Sequence, residues 1–246
     1  MGALTFGIPK DLAETLVRSG NLRAAVETGT YRGESARFLA SLVPDVWTIE
    51  VLPEFHNNAV KRLHHLEGVR TLLGPSEKLL AELAPQLEAP TLFWLDGHGG
   101  TFGGHDVPEG VQECPVLAEL EAIDRSPGAA SSCILIDDAR AFLGPLLQHN
   151  DDEWPNLMQV ADSLRLNHDR YVTILDDVII AVPYPLRRVV DAWWTQKLRQ
   201  RDNLDGPVYE MQRALNPTPK VAARLLLKSI LPMSARERIQ QMRLDG

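Results

Sequence analysis

Cysteine is almost missing from this chain: Cys114 and Cys133 are the two in 246 residues. That is too few for a disulfide framework or a structural zinc site, and a chain of this length buries enough surface to need neither. No apolar run reaches the roughly 18 residues of a membrane-spanning helix. The opening MGALTFGIPKDLAETL lacks the basic start and long apolar stretch of a signal peptide, and Phe6 stands where a myristoylated N-terminus needs Ser or Thr. These absences predict a soluble protein of a reducing, cytoplasmic compartment. There is also no internal repeat, no low-complexity tract and no overall surplus of positive charge.

The net charge of −8 is unevenly spread. Residues 187–246 carry 12 Lys and Arg against 6 Asp and Glu, whereas residues 1–186 carry 13 against 27. A body so acidic argues against a nucleic-acid groove of its own, so nucleic acid is not an expected partner. The pattern reads as two regions: a body over 1–185 and a basic helical extension over 186–246.

In the body, short apolar runs alternate with amphipathic stretches. Strands are predicted at 24–28, 46–51, 69–73, 91–95 and 133–136, with helices at 11–19, 34–42, 54–66, 77–87, 115–124 and 154–166. Apolar runs of four to six residues between helices are the mark of a parallel sheet covered on both faces. Two further runs, 171–175 and 178–182, are separated only by Asp176-Asp177 and read as a hairpin. The expected fold is α/β: a doubly wound, mostly parallel, seven-stranded Rossmann-like sheet ending in an antiparallel hairpin.

The first strand runs into Val26-Glu27-Thr28-Gly29-Thr30-Tyr31-Arg32-Gly33-Glu34-Ser35. Gly29 would let backbone approach a ligand, and Gly33 would let the following helix pack closely on the strand. The dinucleotide fingerprint G-x-G-x-x-G is absent, and Glu27 would repel a diphosphate. Glu50 ends the second strand 21 residues after Gly29, where a carboxylate can accept both ribose hydroxyls. An adenosine site without a phosphate cradle suits S-adenosylmethionine better than NAD. Ser76, after the third strand, either borders the adenine or caps the next helix.

Strand four ends in Leu95-Asp96-Gly97-His98 and strand five in Ile136-Asp137-Asp138-Ala139-Arg140. Neighbouring parallel strands open into one crevice, so Asp96, Asp137 and Asp138 should converge there. Such a cluster calls for a hard cation, Mg²⁺ or Mn²⁺, unless one Asp caps a helix and another pairs with Arg140. His98 at the same mouth has the chemistry of a general base. His105, in a Gly-rich stretch that reads as a lid, and His149 are secondary candidates. Asp176-Asp177 reads as turn chemistry alone.

VETGTYRGES, VWTIEV, FWLDGH, CPVLAELEAID and ILIDDAR together resemble class I S-adenosylmethionine-dependent methyltransferases, and within them the metal-dependent sugar O-methyltransferases that act on macrolide sugars and bacterial polysaccharides. The resemblance covers about residues 24–182. It implies that Glu27, Thr28, Gly29, Gly33, Ser35, Glu50, Ser76 and Asp96 serve the cofactor. It also implies that Asp96, Asp137 and Asp138 hold Mg²⁺, that His98 is the base, and that the acceptor is a sugar or glycan hydroxyl. The chain departs from the pattern in lacking the middle glycine of the first loop and in carrying Pro75 where an Asp often approaches adenine.

The tail, with PKVAARLLLKSIL at 219–231 and Arg236, Arg238 and Arg243 beyond Pro232, is expected to dock on a membrane surface or an anionic glycan, or to pack on the body or on a second copy as a homodimer. Trp193 and Trp194 are expected as core or interface anchors. A nucleotide-sugar oxidoreductase and a non-catalytic cofactor-binding module are the competing readings of the whole chain.

Overall fold

The computed structural model describes residues 7–99, 101–102, 105–106, 108–144 and 152–204. The chain divides into two compact units, 1–193 and 194–246. The first carries a seven-stranded sheet: β1 (Ala24–Thr28), β2 (Asp45–Glu50), β3 (Val69–Leu73), β4 (Thr91–Leu95), β5 (Cys133–Ile136), β6 (Arg170–Leu175) and β7 (Val178–Pro183). Their spatial order is β3-β2-β1-β4-β5-β7-β6; the first five are parallel and β7 is antiparallel to both β5 and β6. A two-residue ribbon, Thr101–Phe102 with His105–Asp106, stands apart.

The apolar runs became strands for the reason they stand out in the sequence. All residues of β1, β4 and β5 are buried, because helices cover both sheet faces. The helices are α1 (Lys10–Gly20), α2 (Glu34–Ala40), α3 (Pro53–Leu63), α4 (Ser76–Leu83), α5 (Val116–Asp124), α6 (Leu157–Arg165) and α7 (Arg187–Leu204). The main core joins Val26, Phe93, Leu95, Ile134 and Ile136 of the sheet to Leu80 of α4, Leu120 and Ile123 of α5, and Val160 and Leu164 of α6.

Several expected helix ends shift, and one expected cap does not form. The helix predicted over 77–87 stops at Leu83 and gives way to a 3₁₀ turn, Ala84–Gln86, because Pro85 has no N–H for a longer helix. Ser76 is the first residue of α4 and makes no capping bond, so its expected role as a cap does not hold. The helix expected from 154 opens instead at Leu157, since Asn156 and Gln159 form a reciprocal capping box. Among the described residues, no helix is long and apolar enough to cross a membrane.

Candidate active site

Parallel register brings Thr28, Glu50, Leu95 and Ile136 to one edge of the sheet, and the loops that follow them form the cleft. Gly29 makes the closest approach. Its φ is +85°, and a Cβ there would sit 2.4 Å from the Asp96 carbonyl oxygen. Only glycine allows the β1 turn and the β4 tip to touch backbone to backbone. Gly33 has φ +72° and caps α2, but its missing Cβ would meet Leu63 of α3 at 3.0 Å. The close packing it permits is therefore with a neighbouring helix, not with the strand as expected.

Glu50 is held before any ligand arrives. The Tyr31 amide donates to one carboxylate oxygen at 2.8 Å and the Leu52 amide to the other at 2.9 Å. Each oxygen keeps a lone pair for a ligand hydroxyl, and Glu50 lines the cleft. Tyr31 takes a positive φ of 44°, unusual for a residue with a side chain, and its ring meets Phe55 edge-on at 5.0 Å. Both rings line the cleft.

Glu27 lies behind this surface, 1% exposed. Thr48 Oγ1 donates to it at 2.6 Å, and burial pushes its carboxyl up to about 8 despite the Thr48 and Ser35 hydroxyls. Ser35 thus serves Glu27 rather than the cleft wall. Thr28 turns inward with its hydroxyl unpartnered. Of the expected cofactor residues, Gly29, Glu50, Ser76 and Asp96 line the cleft.

The three aspartates feel one another. Asp96 is raised to about 9 by burial and by the charges of Asp137 and Asp138, and Asp137 to about 7 mainly by burial. Asp138 pairs with Arg140 at 2.8 Å. Among the described residues, no three His, Cys, Asp or Glu side chains gather into a ready-made metal cage. The donor set that remains, two carboxyls drawn from water and under mutual repulsion, fits a Mg²⁺ that retains several waters.

The hairpin turn does more than turn. Asp177 accepts from the Arg140 amide at 3.0 Å and pairs with its guanidinium, while its carbonyl accepts from the Ala139 amide at 2.8 Å. This corrects the expectation that Asp176-Asp177 is turn chemistry alone: the turn anchors the segment that presents Asp137 and Asp138.

His98 is 3% exposed and walled by Phe142 at 5.3 Å and Trp154 at 5.8 Å. Burial lowers it to about 4, so the ring is neutral at physiological pH. Neither ring nitrogen completes a hydrogen bond, although the Asp137 backbone lies alongside. His105 falls in the small ribbon and its side chain, like His149 and the tail over 205–246, lies outside the described residues. Trp193 is buried, as expected of an anchor.

Three features escaped the sequence reading. Tyr31 and Phe55 form one wall, and Pro108, Val111 and Gln112 form another. Glu119, on α5, is entirely buried. Its signal was available: it shares the helical stripe of Val116, Leu120 and Ile123.

The strand order, with its single antiparallel strand, is that of the Rossmann-like methyltransferase fold. Two solved structures share it: the O-methyltransferase TomG of Streptomyces achromogenes, involved in tomaymycin synthesis and solved with S-adenosylmethionine, and a candidate O-methyltransferase from Klebsiella pneumoniae. TomG aligns at 18% identity and TM-score 0.51 over 73% of this chain and 81% of its own. The Klebsiella protein aligns at 18% and 0.50 over 70% and 78%. In sequence, the chain is 30% identical over 97 residues to the protein-L-isoaspartate O-methyltransferase of Cellvibrio japonicus, covering 34% of this chain. The match spans 43% of that relative's length. No family model matches the chain.

Proposed function

We propose that this chain is an S-adenosylmethionine-dependent O-methyltransferase whose acceptor is a hydroxyl of a small molecule or glycan, a sugar above all, and not a nucleic acid. One observation carries the reading. The cleft, about 900 Å³ with its open mouth, is lined by Glu50, Glu77, Asp96 and Glu113 and by no Lys or Arg among the described residues. A diphosphate cofactor would find no cationic side chain there, whereas a cationic sulfonium favours the ionised carboxylates and is attracted by them. The S-adenosylmethionine bound to TomG, which has the same fold, supports the choice.

In this reading Glu50, already oriented by two amides, accepts the ribose hydroxyls, and Gly29 keeps the turn low enough for the ligand to lie against it. Ser76 and Glu77 border the base. Asp96 and Asp137 would hold Mg²⁺ or Mn²⁺, with Asp138 restrained by Arg140; such an ion, when bound, acidifies an acceptor hydroxyl and fixes its direction. His98 receives the proton. Its ring lines the cleft, neutral and with a lone pair free to accept.

Titration calorimetry with S-adenosylmethionine, and with NAD as control, tests the cofactor; no binding of the former sinks the proposal. Methyl transfer to a panel of sugars, with and without Mg²⁺, tests the acceptor class. Asp137→Ala should abolish metal-stimulated turnover while leaving cofactor binding in place. Turnover that is indifferent to both Mg²⁺ and Asp137 would remove the metal from the reading.

A further inference from the structure

Among the described residues, α5 carries a fully buried carboxyl against the core. Glu119 is 0% exposed on the stripe of α5 that packs into the core, and neither of its oxygens completes a hydrogen bond. Two hydroxyls face it, those of Ser76 at the start of α4 and Thr28 at the end of β1, and both favour its charged form. Thr28 Oγ1 has no other partner. Buried polar groups are rarely left so incompletely paired, and a Leu at position 119 would fit an apolar stripe without that penalty. The charged neighbour is Glu77 of α4, and the thiol of Cys114 precedes α5; neither neutralises Glu119.

The placement gives the carboxyl a use. Ser76 is the member of this trio that reaches the cleft wall. Thr28 directly precedes Gly29, whose backbone touches the Asp96 carbonyl. Glu119 thus stands beneath the floor, between the two segments that would meet the adenosine part of a ligand.

We propose that Glu119 is a positioning residue for the adenosine end of the cleft, orienting the Ser76 hydroxyl from behind and tying it to the β1 turn through Thr28. This rests on the reading of the cleft as an S-adenosylmethionine site. Glu119 touches no ligand itself; it sets the direction of a hydroxyl that does.

Calorimetric titration with S-adenosylhomocysteine and with adenosine tests it, in the wild type and in E119Q, E119L, S76A and the E119L/S76A double variant. Glu119→Leu should weaken both ligands by about tenfold with the circular dichroism spectrum unchanged, whereas E119Q, which keeps the hydrogen-bonding shape, should stay within about threefold. The double variant should bind no worse than the weaker single variant, because the two residues act in series. A role confined to stability would instead move Tm and leave both affinities alone, and that result overturns the proposal. So would losses that add in the double variant, or a loss for S-adenosylhomocysteine that spares adenosine. Should E119L not fold, E119D, which withdraws the carboxyl by one methylene, carries the same comparison. If the wild type binds neither ligand, the cofactor reading itself has failed; if it binds both and E119L binds equally well, only the positioning role has.

Discussion

At the scale of single residues, two positions carry sharply different demands. Gly29 combines φ +85° with a backbone oxygen 2.4 Å from where a Cβ would stand. Gly29→Ala must displace the β4 tip, so a loss of about 2–4 kcal/mol in stability is expected, together with loss of S-adenosylmethionine binding. Chemical denaturation and calorimetry measure the two effects separately. Glu119 is raised from 4.5 to about 7 by burial. The folded state therefore holds this proton more tightly than the unfolded chain does. That contribution is complete below the unfolded value and is lost as pH rises through about 7. Glu119→Gln removes the dependence, so the variant should gain several degrees in Tm relative to the wild type as pH rises from about 5.5 to 8.5. A constant difference across that range would mean that Glu119 does not titrate on unfolding.

At the scale of elements, the hairpin turn invites a direct exchange. Asp176 and Asp177 both have positive φ, 56° and 68°, the backbone for which Asn-Gly is the preferred pair. The double substitution Asp176→Asn with Asp177→Gly should keep β6 and β7 paired and leave Tm equal or higher. The same change frees Arg140, so hydrogen exchange at residues 139–142 should accelerate; unchanged protection there would show that the turn does not hold that segment. This anchoring was not legible in the sequence, because a pair of aspartates between two apolar runs satisfies a turn without further purpose. The strands themselves were legible, since β1, β4 and β5 are buried on both faces and are therefore written almost wholly in apolar residues. The acidic strand tips were legible by topology: parallel strands put their C-terminal ends in one crevice. Helix ends were less so, because Pro85 and the Asn156–Gln159 box act through local geometry that a hydrophobic pattern does not record. Glu119 lay on the apolar stripe of α5, where its position was readable, but a Glu on a helix ordinarily faces water and its type argued the other way.

At the scale of the whole molecule, the acidity of residues 1–186 has a local meaning. Glu27, Glu50 and Asp137 are buried and Asp96 is partly buried, all at one edge of the sheet, and burial with mutual repulsion keeps Glu27 at about 8 and Asp96 at about 9. A cation placed there relieves that repulsion by favouring the ionised carboxylates, so cationic ligands should stabilise the fold as a whole. At a hundred times its Kd, S-adenosylmethionine should add about 2.7 kcal/mol to unfolding, read as a rise in Tm, while NAD should leave Tm unchanged. Equal shifts from the two would contradict the charge argument.

The contact between Gly29 and the Asp96–Gly97 backbone sets where this molecule can be altered. It is a seam: no side chain can be inserted at position 29, and a Cβ at Gly97 would already stand 3.1 Å from Thr28. The two segments also share a hydrogen bond there, from the Asp96 amide to the Thr28 carbonyl at 3.1 Å. Pro108, Val111 and Gln112 also line the cleft, in a segment joined to the loop after β4 where the Gly99 amide donates to the Glu113 carbonyl at 3.1 Å. A change of acceptor, whether by natural divergence or by engineering, has more room in the side chains of Pro108, Val111 and Gln112 than at the seam.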